Sequence, residues 1–255
     1  MKIYKRFKYD TSPEVTNCSH GVSPAYLVEE VSKLDINFYN LFYGEKWWFQ
    51  SFFGWEKLFT IEEMTCHLVI DEKASLTDFL SIGVLSGFGF IVSEKAKKLI
   101  EDVNLPYHRI FPIVLHRKKS KQQVSNYYWW LCYQPYIASS ILLDDLIDFP
   151  QSEFWASIPS FIDKPTQHIN SDLDIPKVVT GIPNSSNFDK MKQKNEVFCG
   201  KKIVLKPSFN ANLDVTDIPL ALTSQFISTE LTTILQRENL TGFEIKELPC
   251  ELIFT

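Results

Sequence analysis

The chain has no long uncharged apolar run. Among its 255 residues, no window approaches the roughly 18 uncharged apolar residues that a membrane-spanning helix needs. The longest apolar stretches, such as Phe88 to Val92, are only as long as a strand. Charged residues occur from Lys2 onward, before the apolar core of a signal peptide could form. We therefore expect a cytoplasmic protein with no membrane partner.

Cysteine is sparse and scattered. The five cysteines form no Cys-x-x-Cys pair and have no histidine at metal-ligand spacing; they are Cys18, Cys66, Cys132, Cys199 and Cys250. An odd, dispersed set is typical of reduced and mostly buried thiols, not of a disulfide framework or a zinc site. We expect no metal site, and the sequence points to no cofactor.

Positive charge is not in excess. The chain has 26 Lys and Arg residues against 31 Asp and Glu residues, which gives a net charge of −5 and a pI near 5.6. A surface of this overall sign disfavours binding to a polyanion. We expect no nucleic acid among the partners.

Catalytic motifs are missing as well. Gly83, Gly87 and Gly89 match neither the dinucleotide fingerprint nor the P-loop, so we interpret them as packing or turn glycines. No Gly-x-Ser-x-Gly sequence occurs. Asp144 and Asp145 are adjacent, and adjacent side chains on a strand point to opposite faces, so they make a poor acid–base pair. The sequence therefore predicts a protein that is not an enzyme.

A short segment, in contrast, occurs twice. Residues 91–105 and 226–240 align without a gap at an offset of 135, with three of fifteen positions identical. In each segment two apolar residues lead to a serine, Ser93 or Ser228, suited to cap the N-terminus of a helix. Both following segments have apolar residues at helical spacing. We predict two strand-Ser-helix units, which either duplicate one ancestor or reflect a common local structure.

Further strands are predicted on both sides of these units. Ile110 to His116 and Tyr127 to Tyr133 form a hairpin with a basic loop, and Gly242 is expected to cap the second helix. The other predicted strands are Ile3 to Tyr9, Cys66 to Ile70, Val197 to Leu205 and one or two within Phe243 to Phe254. The pattern predicts an α+β fold, mostly antiparallel sheet with a few helices. We also expect two related lobes, each carrying a strand-Ser-helix unit.

Proline and polar residues mark a candidate boundary. Residues 159–195 contain four prolines among Ser, Asn and Asp, which is typical of a linker or an irregular excursion. We predict an aromatic-rich N-terminal lobe over 1–158, this linker over 159–195, and a C-terminal lobe over 196–255 packed on the first. A single compact domain is the alternative.

Aromatic residues are concentrated between Phe38 and Phe59. Trp47, Trp48 and Trp55 belong to a set of rings that cannot all face inward from one strand or helix. They either form a thick aromatic core or cover a neighbouring lobe or a partner.

Several of these segments together resemble a known family. The series begins with Phe90-Ile91-Val92-Ser93-Glu94, a helix ending before Pro106, and Phe111-Pro112-Ile113 in a strand. It continues through an aromatic strand ending at Leu131, the residues Asp148, Ser152 and Phe154, the segment Phe226-Ile227-Ser228, and the segment Leu240-Thr241-Gly242-Phe243. This series resembles bacterial immunity proteins of polymorphic-toxin and type VI secretion systems, over roughly residues 85–155 and 200–248.

The resemblance implies a cytosolic protein that binds one cognate toxin effector and occludes its active or binding surface, as bacterial competition requires. An acidic protein would associate quickly with a basic toxin surface. We expect the partner-binding residues to be the acidic Asp144, Asp145, Asp148 and Glu153 and the aromatic Trp47, Trp48 and Trp55. Toxin identity, stoichiometry and oligomeric state stay open.

Two alternatives belong to other classes. One is a hydrolase or transferase whose site is assembled from distant residues such as His67, His116 and a carboxylate. The other is a ligand-binding module whose aromatic residues line a groove for a carbohydrate or small molecule.

Overall fold

The computed structural model describes residues 2–19, 23–44, 59–82, 85, 89–132, 143–155, 166–167, 199–216, 225–248 and 250–255. The predicted anchors Trp47, Trp48 and Trp55 and most of the predicted 159–195 linker lie outside these ranges.

The described residues form thirteen strands and six helices, most of them short. The strands are β1 (Tyr4–Tyr9), β2 (Ala25–Tyr26), β3 (Cys66–Ile70), β4 (Gly89–Ser93), β5 (His108–Arg117), β6 (Gln123–Cys132), β7 (Glu153–Trp155), β8 (Thr166–Gln167), β9 (Cys199–Leu205), β10 (Val215–Thr216), β11 (Phe226–Ser228), β12 (Phe243–Lys246) and β13 (Glu251–Phe254). The helices are α1 (Pro13–Thr16), α2 (Glu29–Ser32), α3 (Ile36–Tyr43), α4 (Glu94–Ile100), α5 (Leu143–Leu146) and α6 (Thr229–Arg237), with a 3₁₀ turn at Phe149–Gln151. None of these helices is long and apolar enough to cross a membrane.

The described strands form three sheets. Their orders are β10-β11-β1-β12, β2-β3-β5-β6-β4 and β13-β9-β7-β8. Within the described ranges, β3 pairs with β5 and β13 pairs with β9 in parallel, and the other strand pairs are antiparallel. The predicted α+β fold with mostly antiparallel sheet is confirmed.

Two of these sheets contain the same split β-α-β unit. In unit one, β4 continues into α4 and then β5, while β6 lies between β4 and β5 and is antiparallel to both. In unit two, β11 continues into α6 and then β12, while β1 occupies the middle position. β5 and β12 begin at His108 and Phe243, which keep the 135-residue offset. The predicted strand-Ser-helix unit therefore occurs twice, and the equivalence extends into the next strand.

Strand β6 of the five-stranded sheet is buried on both faces at its two tryptophans. Trp129 and Trp130 are neighbours on β6, so their side chains point to opposite faces, and both are 0% exposed. Trp129 packs in a core with Phe38 of α3 and Phe111 of β5. Trp130 packs in a second core with residues of both units, including Phe7 of β1. This second core joins unit one to unit two.

The third sheet has its own core. Ile147, Phe149, Ile203 and Leu205 pack there, and Tyr4 of β1 joins them. β1 therefore contributes to two cores, because Phe7 lies in the core between the units. The predicted division at 158 and 195 stays a prediction, since the residues between 168 and 198 lie outside the described ranges.

The capping role predicted for Gly242 is wrong. α6 has its C-cap at Glu238, and Asn239 occupies the left-handed position after it with φ of 52°. Gly242 has φ of 89°, and a Cβ added there would lie 2.0 Å from the Phe79 carbonyl oxygen. Glycine is required at this position because the loop of unit two approaches the backbone of unit one closely. Gly89, at φ 144°, has a packing role as predicted, because its Cβ would lie 1.9 Å from the Trp130 carbonyl oxygen.

Candidate functional site

Ser93 joins the end of β4 to the start of α4. Its hydroxyl accepts a hydrogen bond from the Ala96 amide at 3.2 Å, which satisfies one of the unpaired amides of the first helical turn. The same hydroxyl donates to Oδ1 of Asp78 at 2.7 Å, and the Ser93 amide donates to the Asp78 carbonyl at 2.8 Å. Asp78 thus fixes the serine that begins the helix.

Ser228 repeats this arrangement in unit two. Its hydroxyl accepts from the Leu231 amide at 3.0 Å and donates to Oδ1 of Asp214 at 2.6 Å. The Ser228 amide donates to the Asp214 carbonyl at 2.9 Å. Each unit therefore has the same aspartate-serine-helix contact.

Each aspartate also binds the loop that follows the helix of the other unit. Oδ2 of Asp78 accepts from the amide and hydroxyl of Thr241, at 3.0 and 3.1 Å. Oδ2 of Asp214 accepts from the Asn104 amide at 2.9 Å. We call Asp78, Ser93 and Thr241 clasp one, and Asp214, Ser228 and Asn104 clasp two. The two clasps join the units reciprocally.

The backbone around the clasps follows the same equivalence. Phe79 bridges Val92 before Ser93, and Val215 pairs with Ile227 before Ser228. The Phe79 amide donates to the Thr241 carbonyl at 2.9 Å, and the Asp214 amide donates to the Asn104 carbonyl at 2.6 Å. In both cases the segment before the first strand of one unit donates a backbone hydrogen bond to the loop after the helix of the other unit, at positions shifted by one or two residues from exact equivalence.

The carboxylate of Asp214 is held in its charged form. Burial tends to raise its pKa, but hydrogen bonds from Lys2, Ser228 and the Asn104 amide outweigh that effect, and the pKa lies below its ordinary value. Lys2 also forms an ion pair with Asp214. Since Asp214 is only 6% exposed, these contacts compensate a carboxylate that water barely reaches.

Asp148 and Ser152, two of the residues on which the family resemblance rests, connect their segment to the third sheet. The Ser152 hydroxyl, in a fully buried residue, donates to the Asp148 carbonyl at 2.7 Å and accepts from the Val204 amide at 2.9 Å. The Asp148 amide donates to the Val204 carbonyl at 2.9 Å. Asp148 and Ser152 thus anchor the 143–155 segment to β9.

The predicted acidic partner-binding residues lie along this same segment. Asp145 is exposed, and its carboxylate has no hydrogen-bond or ion-pair partner within the described ranges. Asp148 caps the 3₁₀ turn, and its carboxylate accepts from Gln151 at 2.7 Å. Glu153 forms an ion pair with Lys201 at 2.9 Å. For Asp144, the backbone lies in α5 and the side chain lies outside the described part, so the partner-binding role of the whole set stays a prediction.

His67 and His116, the two histidines suggested for an enzyme site assembled from distant residues, lie next to each other. Nδ1 of His67 lies 3.1 Å from Nε2 of His116. Burial lowers the pKa of both imidazoles, and the neighbouring His116 lowers that of His67 further. Within the described residues, no group of three or more His, Cys, Asp or Glu side chains is placed to hold a metal ion.

Sequence reasoning missed the roles of Asp78 and Asp214. Each precedes the capping serine of its unit by a similar distance, Asp78 by 15 residues and Asp214 by 14. The ungapped 135-residue comparison pairs Asp78 with Leu213, so the two aspartates align only if a one-residue gap is allowed upstream of the strands. The hydrogen bonds that each aspartate accepts from the opposite unit could not be predicted by such a comparison, because they join residues more than 100 positions apart.

A scan against protein-family models matches no family, and a search of curated proteins finds no matching relative.

Proposed function

We propose that this chain is an immunity protein that acts in the bacterial cytoplasm, binds one cognate toxin effector and neutralises it by covering the toxin's active or binding surface. The proposal rests on the resemblance of its segments to immunity proteins of polymorphic-toxin and type VI secretion systems. It makes the protein a stoichiometric inhibitor with no catalytic step of its own.

One observation carries this proposal. Ser93, in the first resembling segment, and Thr241, in the last, bind the same Asp78 carboxylate. Ser228 and the loop after α4 meet at Asp214 in the same way. Segments that are far apart in sequence thus belong to one interlocked framework, which supports a resemblance that extends over the fold.

Such a framework suits an inhibitor. A preformed surface loses little conformational freedom on binding, so more of the contact free energy appears as affinity. The segment 143–155 is anchored to β9 through Ser152 and carries the exposed Asp145. We place the toxin-binding face on this segment, where an acidic side chain would attract a basic toxin surface and raise the association rate.

Co-expression tests the function directly. Bacterial cells carry the adjacent reading frame, which is expected to encode the toxin, under an inducible promoter. Their survival after induction is compared with and without co-expression of this chain. We expect the chain to restore survival and to copurify with the toxin. If the chain neither protects nor copurifies, the proposed function is wrong.

Charge reversal tests the location of the face. The variant Asp144→Lys/Asp145→Lys should reduce the association rate with the toxin by about tenfold or more at low salt. The matched control is Glu62→Lys/Glu63→Lys, which makes the same charge change at another acidic doublet of the chain, both of whose residues are exposed. Equal binding by the two variants would place the face elsewhere and leave the inhibitor function intact.

The alternative function, a hydrolase or transferase, draws on the contact between His67 and His116. Under that alternative the chain would act on a substrate of its own, and His116→Gln would abolish turnover of that substrate by a folded chain. Under the inhibitor proposal, a folded His116→Gln variant protects as well as the unaltered chain.

A further inference from the structure

Strand β12 lies at one edge of the sheet of unit two, with β1 as its neighbour. The Asp10 amide donates to the Gly242 carbonyl at 3.0 Å, so these two residues form a hydrogen-bonded pair at the end of the ladder. Such pairs recur at every second residue, so Glu244 and Lys246 bond to β1, and the amide and carbonyl of Ile245 point away from it. Within the described ranges, these two groups of Ile245 have no hydrogen-bond partner.

The edge strand of unit one, β4, is covered instead. The Ile91 amide donates to the Tyr9 hydroxyl at 3.1 Å, and the Ile91 carbonyl accepts from the Leu80 amide at 3.0 Å. Phe79 also bridges Val92 on this side. β12 therefore differs from β4 in having an open backbone edge, which is the feature that allows a sheet to add a further strand.

The side chains of β12 define what kind of strand would fit beside it. On one face, Phe243 and Ile245 are partly buried against the core between the units, so apolar surface extends to the free edge. On the other face, Glu244 and Lys246 reach solvent and form an ion pair with each other at 2.7 Å. A matching strand needs an apolar residue opposite Ile245 and charges of opposite sign beside Glu244 and Lys246.

A second copy of β12 meets these requirements. If two copies run antiparallel around a two-fold axis at Ile245, the two Ile245 residues face each other and exchange their free backbone hydrogen bonds. Glu244 of each copy then stands opposite Lys246 of the other, at the positions where opposing side chains approach most closely. An axis at Glu244 or at Lys246 would bring like charges together, so the charges favour the axis at Ile245.

The neighbouring strand adds a further reason for a carboxylate at this edge. Arg6 of β1 stands opposite Lys246, and its Nε atom is buried without a hydrogen-bond partner within the described residues. Like charges directly opposite each other on a sheet are unfavourable. In the antiparallel pair, Glu244 of the second copy would lie on the free side of Lys246 and offset this concentration of positive charge.

We propose that this chain forms a two-fold symmetric dimer in which β12 of one copy pairs with β12 of a second copy, joining their four-stranded sheets into one continuous sheet. The contact is short, so the association depends on protein concentration and is weaker than that of an obligate dimer. The dimer does not rest on the proposed inhibition of a toxin.

Sedimentation analysis of the full chain tests the dimer. We expect the average mass to rise from 29.6 kDa toward twice that value as the concentration approaches about 1 mM. Ile245→Pro removes the amide that points to the second copy and leaves the hydrogen bonds between β1 and β12 in place, so it should weaken the dimer by about tenfold or more. Ile245→Val, which keeps that amide, is the matched control.

Exchange of charges tests the register and does not depend on a proline variant that could fail to fold. Glu244→Lys and Lys246→Glu each bring like charges together in the dimer, so each variant alone should associate about tenfold more weakly at low salt. An equimolar mixture of the two variants restores both opposite-charge pairs and should associate about as tightly as the unaltered chain.

Three results would overturn the proposal. The unaltered chain could stay monomeric at every concentration, a folded Ile245→Pro variant could dimerise as tightly as the unaltered chain, or the mixture of the two charge variants could associate no more tightly than either variant alone.

Discussion

The two clasps share one geometry but differ in burial. In clasp two, Ser228 is 0% exposed and Asp214 is 6% exposed, and Lys2 adds an ion pair. In clasp one, Ser93 and Asp78 are both half-buried. Because a hydrogen bond to a charged group counts for more when its partner is cut off from water, the same set of contacts should stabilise the protein unequally.

The helices that follow the clasps differ in a related way. α4 carries two exposed ion pairs along its length, Lys98 with Glu94 and Lys97 with Glu101. In α6, Thr232 and Thr233 instead donate their hydroxyls to carbonyls four residues earlier. Exposed pairs of this spacing contribute only a few tenths of a kcal/mol, about 0.3–0.5 each. Unit two therefore depends more on its buried contacts, and four predictions test that difference.

The largest effect is expected at the loop of unit two. Gly242→Ala should destabilise the protein by about 4 kcal/mol, because the new Cβ meets the Phe79 carbonyl and φ is left-handed. The equivalent position in unit one is Tyr107, which is 62% exposed and whose ring lies 5.2 Å from that of Phe59, so Tyr107→Ala should cost only about 1 kcal/mol. Urea unfolding measures both. Equal losses of unfolding free energy for the two variants would contradict the special role of the close backbone approach at Gly242.

Removing the buried aspartate comes next. Asp214→Ala leaves the Ser228 hydroxyl, the Asn104 amide and the Lys2 ammonium without their acceptor, and should cost about 3 kcal/mol. The midpoint of urea unfolding reports this loss. Asp145→Ala is the control and should be nearly neutral, because this carboxylate is exposed and has no partner among the residues that the structure describes.

Removing the half-buried aspartate should matter less. Asp78→Ala deletes the acceptor for Ser93 and Thr241, but water can replace it, so we expect a loss of about 1.5 kcal/mol. The informative quantity is the difference between Asp78→Ala and Asp214→Ala under one set of conditions. A larger loss for Asp78→Ala would reverse the ranking that burial predicts.

Acid should produce the smallest of the four effects, and it acts through the Asp214 carboxylate, whose pKa is held below its ordinary value by its hydrogen bonds. Because the pKa of Asp214 is lower in the folded state, its stabilisation is fully present above the unfolded value near 3.8 and is lost as the pH falls through the folded value. The free energy of unfolding, measured from pH 5 downward through 3.8, should therefore fall more steeply for the unaltered chain than for Asp214→Asn. Parallel pH curves would contradict this role.

Much of the fold could be predicted from local patterns. The serine caps at Ser93 and Ser228, the strand from Cys66 to Ile70 and the hairpin of β5 and β6 are all present, because each depends on residues close in sequence. A capping hydroxyl, a short apolar run and a basic turn each leave a local signal.

The contacts between units could not be predicted in this way. Gly242 follows a helix, as a capping glycine does, yet its conformation is set by Phe79 of the other unit. The meeting of His67 with His116 depends on the parallel pairing of β3 with β5, and no local pattern fixes which strands become neighbours. The partner-binding role proposed for Asp144, Asp145, Asp148 and Glu153 would be a property of a complex, so contacts within the chain alone do not test it.

The central claim, that this chain neutralises a toxin by covering it, is tested most directly by titrating the purified toxin with the purified chain and following toxin activity. Toxin activity should fall linearly to zero at a fixed molar ratio near equality, and the toxin should be recovered chemically unchanged after separation. A toxin whose activity is unaffected, or one that is inactivated by a small fraction of an equivalent of the chain, would contradict it.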